Sequence, residues 1–225
     1  MADGPPDRDP SQGSYSPLLE AAARLAARGH YHQFRKRAPT VGAVDDTGDP
    51  LPVDAIPYVT HLIGTMTILA RLGARDEVLA AALLHDYLED VDDPAGEDHI
   101  RSVAGDEVLS LVRAVTEDKR PDRDSADTWL VRKQEQIAEI ELMPCDAVMI
   151  KAADLLHNLL SLALDLRQSS DRRRIWSRFN AGIERQLWYF EAVASAVRSR
   201  LGDHPLTYNL ESAVADVHTA ARGPA

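Results

Sequence analysis

The stretch ALLHDYLEDVDD, residues 82–93, puts one histidine and five acids directly behind an apolar run. The run Val78, Leu79, Ala82 and Leu83 keeps helical spacing, so the segment reads as a helix that buries one end and carries His85, Asp86, Glu89 and Asp90 at the other. On a continuous helix, residues four apart share a face. His85 then stacks under Glu89 and Asp86 under Asp90, while His85 and Asp86 diverge by about 100°. That pair offers one nitrogen and one oxygen donor, with two more acids one turn away. The stretch therefore predicts a helical fold with an ion site at a helix end, provided that other donors stand elsewhere in the chain.

Working outward, helical periodicity recurs on both sides. Ser16 is a good N-cap before Pro17, and Leu18, Leu19, Ala22, Leu25 and Ala26 run to Gly29. Val59, Leu62, Ile63, Met66, Leu69 and Ala70 share a face that Gly73 closes, and Asp76 is read as the cap of the helix that follows. Further helices are expected near 98–104, 106–116, 125–142 and 146–166, then a long one over 171–199 and a weaker one near 206–221. No alternating strand pattern and no repeat stands out. The expected fold is all-α in one domain, residues 16–222, after a disordered leader at 1–15 and with a Pro-, Gly- and Asp-rich loop insertion at 38–56.

The 225 residues suffice for one good core, with 44% hydrophobic and 27% charged residues. A net charge of −11 disfavours nucleic acid and anionic membranes as partners. No apolar run approaches the roughly 20 residues that cross a bilayer, and the N-terminus lacks a signal-peptide core. Cys145 is the only cysteine, read as buried filler or a helix start, which fits a reducing cytoplasm. Trp176, Phe179, Trp188 and Phe190 are expected in the core or a dimer contact, and a homo-oligomer stays open.

Two ligands hold a metal weakly. His61, on an otherwise apolar helix start, and Asp154, an acid inside the apolar run VMIKAADLLHNLLSL, are candidates to complete the set. A lone buried carboxylate is costly unless an ion or Lys151, three residues earlier, compensates it. His61, His85, Asp86 and Asp154 make a mixed nitrogen/oxygen set that suits Mn, Fe or Zn better than Ca or Mg. Such an ion acidifies water near neutral pH.

Taken with Tyr58 to His61, the motif H-D-x-x-E-D at 85–90, K-A-A-D-L-L-H-N at 151–158 and FRK at 34–36 after His30, the chain resembles the HD-type phosphohydrolases. Within them it is most similar to the hydrolase domain of Rel/SpoT-type proteins and the small alarmone hydrolases, over about residues 20–165. The resemblance implies an all-α enzyme that binds Mn (Fe, Zn or Co as alternatives) through His61, His85, Asp86 and Asp154. It implies removal of the 3′-pyrophosphate from ppGpp and pppGpp, with Glu89 and Asp90 orienting or activating water. Arg35 and Lys36 would meet base and phosphates, Asn158 and Ser161 the nucleoside, and Lys151 would help hold helix and nucleotide.

The chain departs from the family at Leu62, where proline is usual, at Leu160, where arginine is usual, and in the 38–56 insertion. Residues 175–190 also resemble other bacterial HD proteins. The alternatives are an HD-type phosphatase for a nucleoside monophosphate or dinucleotide cofactor, and a degenerate HD domain that binds nucleotide or a protein partner.

Overall fold

The structure is a computed structural model and describes residues 15–35, 43–44, 50–51, 56–120, 122–179 and 181–222. Helix α1 (Pro17–Gly29) starts where expected: the Ser16 hydroxyl accepts from the Leu19 N–H and Pro17 opens the first turn. It buries Ala22, Leu25 and Ala26 against α3 (Asp76–Leu84) and α5 (Gly96–Val115). Between α1 and α2 (Val59–Arg71) the described residues include four two-residue strands, which the sequence reading did not anticipate. β1 (Phe34–Arg35) pairs antiparallel with β4 (Ile56–Pro57), and β2 (Ala43–Val44) with β3 (Pro50–Leu51), nested inside the first pair. Two residues are too few to show alternation. The outer ladder returns the chain to α2 and leaves Arg35 at the mouth of the site described below.

Gly73, at φ +78°, ends the α2 turn as expected. Arg75, not Asp76, is the cap residue of α3; Asp76 sits inside the first turn, where the helix dipole favours an acid. Residues Val78 to Leu84 are all buried, so α3 is a core helix on every face. It stops at Leu84, and α4 (Tyr87–Asp90) follows as a separate turn. The expected helices near 98–104 and 106–116 are the two halves of α5, bent at Gly105 (φ 87°, ψ 172°).

Polar α6 (Ser125–Ile140) leads to α7 (Cys145–Gln168), the central helix. By length and composition α7 could cross a membrane, but more than half of its most apolar window is buried, and it packs against α2, α3, α5, α9 (Ile183–Leu201) and α10 (Pro205–Arg222). Its apolar faces are used in the core, each buried leucine contributing about 1.5–3 kcal/mol. Cys145 is exposed at the α7 start and is not buried filler.

The long helix expected over 171–199 is two. Asp171 caps α8 (Arg172–Trp176), which ends at Ser177, and Gly182 restarts the chain as α9. Trp176 and Phe190 are buried, Phe179 partly so, and Trp188 is more than a third exposed. The last helix is stronger than its sequence implied: α10 buries Leu206, Leu210, Val214 and Val217, chiefly against α7. Arg200 of α9 donates to the carbonyls of Ile140 and Met143, at 2.6 and 2.7 Å, and so satisfies the C-terminal end of α6.

Candidate active site

The joint between α3 and α4 changes the geometry expected for H-D-x-x-E-D. His85 keeps helical angles, but Asp86 turns to φ −95°, ψ 0°, and its carbonyl accepts from the N–H groups of both Glu89 (3.2 Å) and Asp90 (2.9 Å). The two acids therefore hang from Asp86 on a fresh turn, not on an unbroken helix.

His61 comes from the first turn of α2, His85 and Asp86 from the α3–α4 joint, and Asp154 from the middle of α7. His61 Nε2 lies 3.1 Å from Asp154 Oδ1 and 3.6 Å from Asp86 Oδ2. His85 Nε2 lies 3.2 Å from Asp86 Oδ2 and 3.7 Å from Asp154 Oδ1. Both histidines are buried, 2% and 4% exposed. The sequence-predicted ligand set thus converges from three separate segments.

A divalent ion fits this set. The Nδ1–H of His85 donates to the Ala82 carbonyl at 2.8 Å, which leaves Nε2 with its lone pair toward the acids. That buried Nε2 has no aligned hydrogen-bond partner despite the nearby carboxylates. His61, His85 and Asp86 offer donor atoms within 4.8 Å of one another, and Asp154 stands against both histidines. Burial works to lower the His85 pKa, but Asp86 and Asp154 together hold it at about 9. Burial likewise opposes ionisation of Asp154, yet the two imidazoles hold its carboxyl well below the usual range.

The neighbouring groups are tied to this set. The Tyr58 hydroxyl donates to Asp86 Oδ2 (2.7 Å) and stands 3.2 Å from Asp90 Oδ2; burial, then Asp86 and Asp90, push its pKa up. Lys119 pairs with Asp90 and with Glu89, the latter at 3.2 Å. Burial raises the Glu89 pKa, and Lys119 only partly offsets it. Lys151 is nearly buried, 3.9 Å from Asp154; burial opposes its charge, but Tyr189, Asp154 and Glu89 raise its pKa. Asn158 donates to Asp154 Oδ1 and accepts from Arg35.

A cavity of about 490 Å³ is lined by Arg35, Tyr58, His61, Asp86, Glu89, Asp90, Lys151, Asp154 and Asn158, while His85 and Lys119 stand outside its lining. Ser161 does not line it, and Lys36 lies outside the described residues. The far wall, from α6, α9 and the segment before α9, brings Lys133, Gln136, Arg178, Phe179, Gln186 and Tyr189. Sequence reading assigned these no site role, because no local spacing connects them. Lys133 and Gln136 meet the partly buried Glu117 at 2.7 Å each, and Tyr189 donates to Gln136 at 2.9 Å. Leu160 is half-exposed and lines a separate groove with α2 and α10, not this cavity; Leu62 is wholly buried.

The HD domain family profile matches residues 51–181. The chain belongs to the HD domain family. As an HD protein it is a metal-dependent phosphohydrolase. It is 36% identical over 152 residues to the human guanosine-3′,5′-bis(diphosphate) 3′-pyrophosphohydrolase, covering 67% of this chain and 72% of that one. The Drosophila melanogaster protein of the same name is 36% identical over 129 residues, 54% of this chain and 68% of its own. A GTP pyrophosphokinase of Streptomyces coelicolor is 34% identical over 158 residues, but the match spans only 16% of that longer protein. Among solved structures, a metazoan ortholog of SpoT described as hydrolysing ppGpp superposes with TM-score 0.62 at 29% identity, covering 89% of this chain and 96% of that one. A Listeria monocytogenes protein superposes with TM-score 0.60 at 30% identity, covering 72% and 98%.

Proposed function

We propose that this HD protein removes the 3′-pyrophosphate of (p)ppGpp-type nucleotides, with manganese as its divalent ion. The observation that carries the reading is the set of cations that four separate segments bring to the cavity. In a chain of net charge −11, Arg35, Lys133, Lys151 and Arg178 all line the cavity that holds His61, Asp86 and Asp154. A polyanion with diphosphates at two positions needs cations on more than one side of the reacting phosphorus. The relatives whose names carry this activity match over two thirds of their length.

In this reading His61, His85, Asp86 and Asp154 hold the ion. When bound, it polarises the phosphoryl oxygen and makes water acidic enough to attack near neutral pH. Glu89, whose burial raises its pKa, accepts the proton of the attacking water. Lys119 holds Asp90 beside it. Water oxygen bonds to the first phosphorus of the 3′-diphosphate, the bond to the ribose 3′-oxygen breaks, and that oxygen takes up a proton. The products are GDP or GTP and pyrophosphate. Arg35, Lys36 and Asn158 are the proposed contacts to base, phosphate and nucleoside, and Lys151 stands 3.9 Å from Asp154 on the cavity wall.

A nucleotide panel tests the substrate. With Mn²⁺, kcat/KM for ppGpp is expected to exceed that for guanosine monophosphates and for dinucleotide cofactors by at least about tenfold, which is about 1.4 kcal/mol of transition-state discrimination. Faster orthophosphate release from a monophosphate or a dinucleotide cofactor would replace this reading with the general HD phosphatase.

A further inference from the structure

His85 has its tautomer fixed by the Ala82 carbonyl, but no backbone carbonyl does this for His61. Its Nδ1 instead lies 2.9 Å from Nδ1 of His157, three residues after Asp154 on α7. The same His157 nitrogen lies 2.9 Å from a terminal nitrogen of the Arg35 guanidinium. Guanidinium can only donate. His157 Nδ1 is therefore the acceptor, with its ring proton on Nε2, and its single lone pair is shared between the Arg35 and His61 N–H groups, so that it does not donate to His61. The hydrogen between the two rings then belongs to His61 Nδ1, which leaves His61 Nε2 as the atom that faces Asp86 and Asp154.

The fold makes room for this arrangement. A Cβ added at Gly64, one turn along α2 from His61, would run into the His157 ring. The absence of a side chain there lets α7 present the ring to α2, 4.9 Å centroid to centroid from His61. We propose that His157 is a positioning residue that fixes His61 in the tautomer able to hold a divalent ion, with Arg35 fixing His157 in turn. The proposal rests on the ion-binding part of the reading above and not on the identity of the nucleotide.

The test is Mn²⁺ binding without nucleotide, read from the electron paramagnetic resonance signal of free Mn²⁺. His157→Phe keeps a ring but loses the acceptor, and its dissociation constant for Mn²⁺ is expected to rise about 10–100-fold, the range for loss of a partner behind a metal ligand. His157→Asn offers an amide oxygen in place of Nδ1 and is expected to stay within about threefold of wild type. Gly64→Ala changes no polar atom but displaces the ring, and is expected to weaken Mn²⁺ as His157→Phe does. Circular dichroism confirms that each variant is folded. Unchanged Mn²⁺ affinity in folded His157→Phe overturns the proposal, as does equal loss in His157→Phe and His157→Asn. A wild type that binds Mn²⁺ but spares ppGpp refutes the substrate reading alone, because the binding comparison still decides the role of His157.

Discussion

Glu89 and Asp90 differ in what surrounds them, and that difference assigns their work. Asp90 is paired with Lys119, stands 3.2 Å from the Tyr58 hydroxyl, and its backbone carbonyl accepts from Gln33 at 2.6 Å, so it is engaged in position. Glu89 is more buried and less well neutralised, and burial raises its pKa. Glu89→Gln is expected to lower kcat by about 10²–10⁴-fold while leaving Mn²⁺ affinity near wild type, since a positioned base contributes about that much. The pH profile carries the same assignment. A base works only when ionised, so activity is lost as pH falls through the Glu89 pKa, and the acid limb is expected above the ordinary glutamate range. Lys119 lowers that pKa, so Lys119→Met is expected to move the limb to higher pH. A limb that stays in place in that variant, measured by kcat/KM against pH, would assign it to another group.

At the scale of elements, the bends matter more than the helices. Gly105, at φ 87° and ψ 172°, lies where residues with a Cβ are strained, and it turns α5 between Ile100, on its first half, and Val108 and Val112, on its second. Gly105→Ala is expected to cost about 1–3 kcal/mol, seen as a lower denaturant midpoint with an unchanged slope. Activity per folded molecule should persist, because Gly105 touches no site residue. That bend was legible, since Gly105 interrupts the apolar spacing on both sides. The break at His85-Asp86 was not: every residue of ALLHDYLED tolerates a helix, and what ends α3 is the turn at Asp86, whose carboxylate is held by Tyr58 from another segment. The division of α8 from α9 was missed in the same way, despite Gly182. His61, His85, Asp86 and Asp154 were legible because chelating side chains inside apolar runs need a reason to be buried. Lys133, Gln136 and Tyr189 were not, because they read as ordinary polar or aromatic positions until the fold brings Lys133 and Gln136 to Glu117 and Tyr189 to Gln136.

The whole molecule is a bundle around α7 in which the ion set exists only after folding. His61, the His85-Asp86 pair and Asp154 are separated by more than twenty residues each along the chain. An ion that binds this assembly and not the unfolded chain stabilises it by mass action, about 2.7 kcal/mol at a concentration one hundred times its dissociation constant. Mn²⁺ is therefore expected to raise the thermal midpoint of the wild type in a concentration-dependent way and to leave that of Asp86→Ala unmoved. Equal effects on both, measured by scanning calorimetry, would place the ion elsewhere.

The most direct measurement is the product of ppGpp hydrolysis with Mn²⁺, resolved by anion-exchange chromatography beside the Asp86→Ala variant. Pyrophosphate and GDP in equal amounts, absent with the variant, are the expected result. Intact ppGpp, or release of orthophosphate without pyrophosphate, would contradict the proposed reaction.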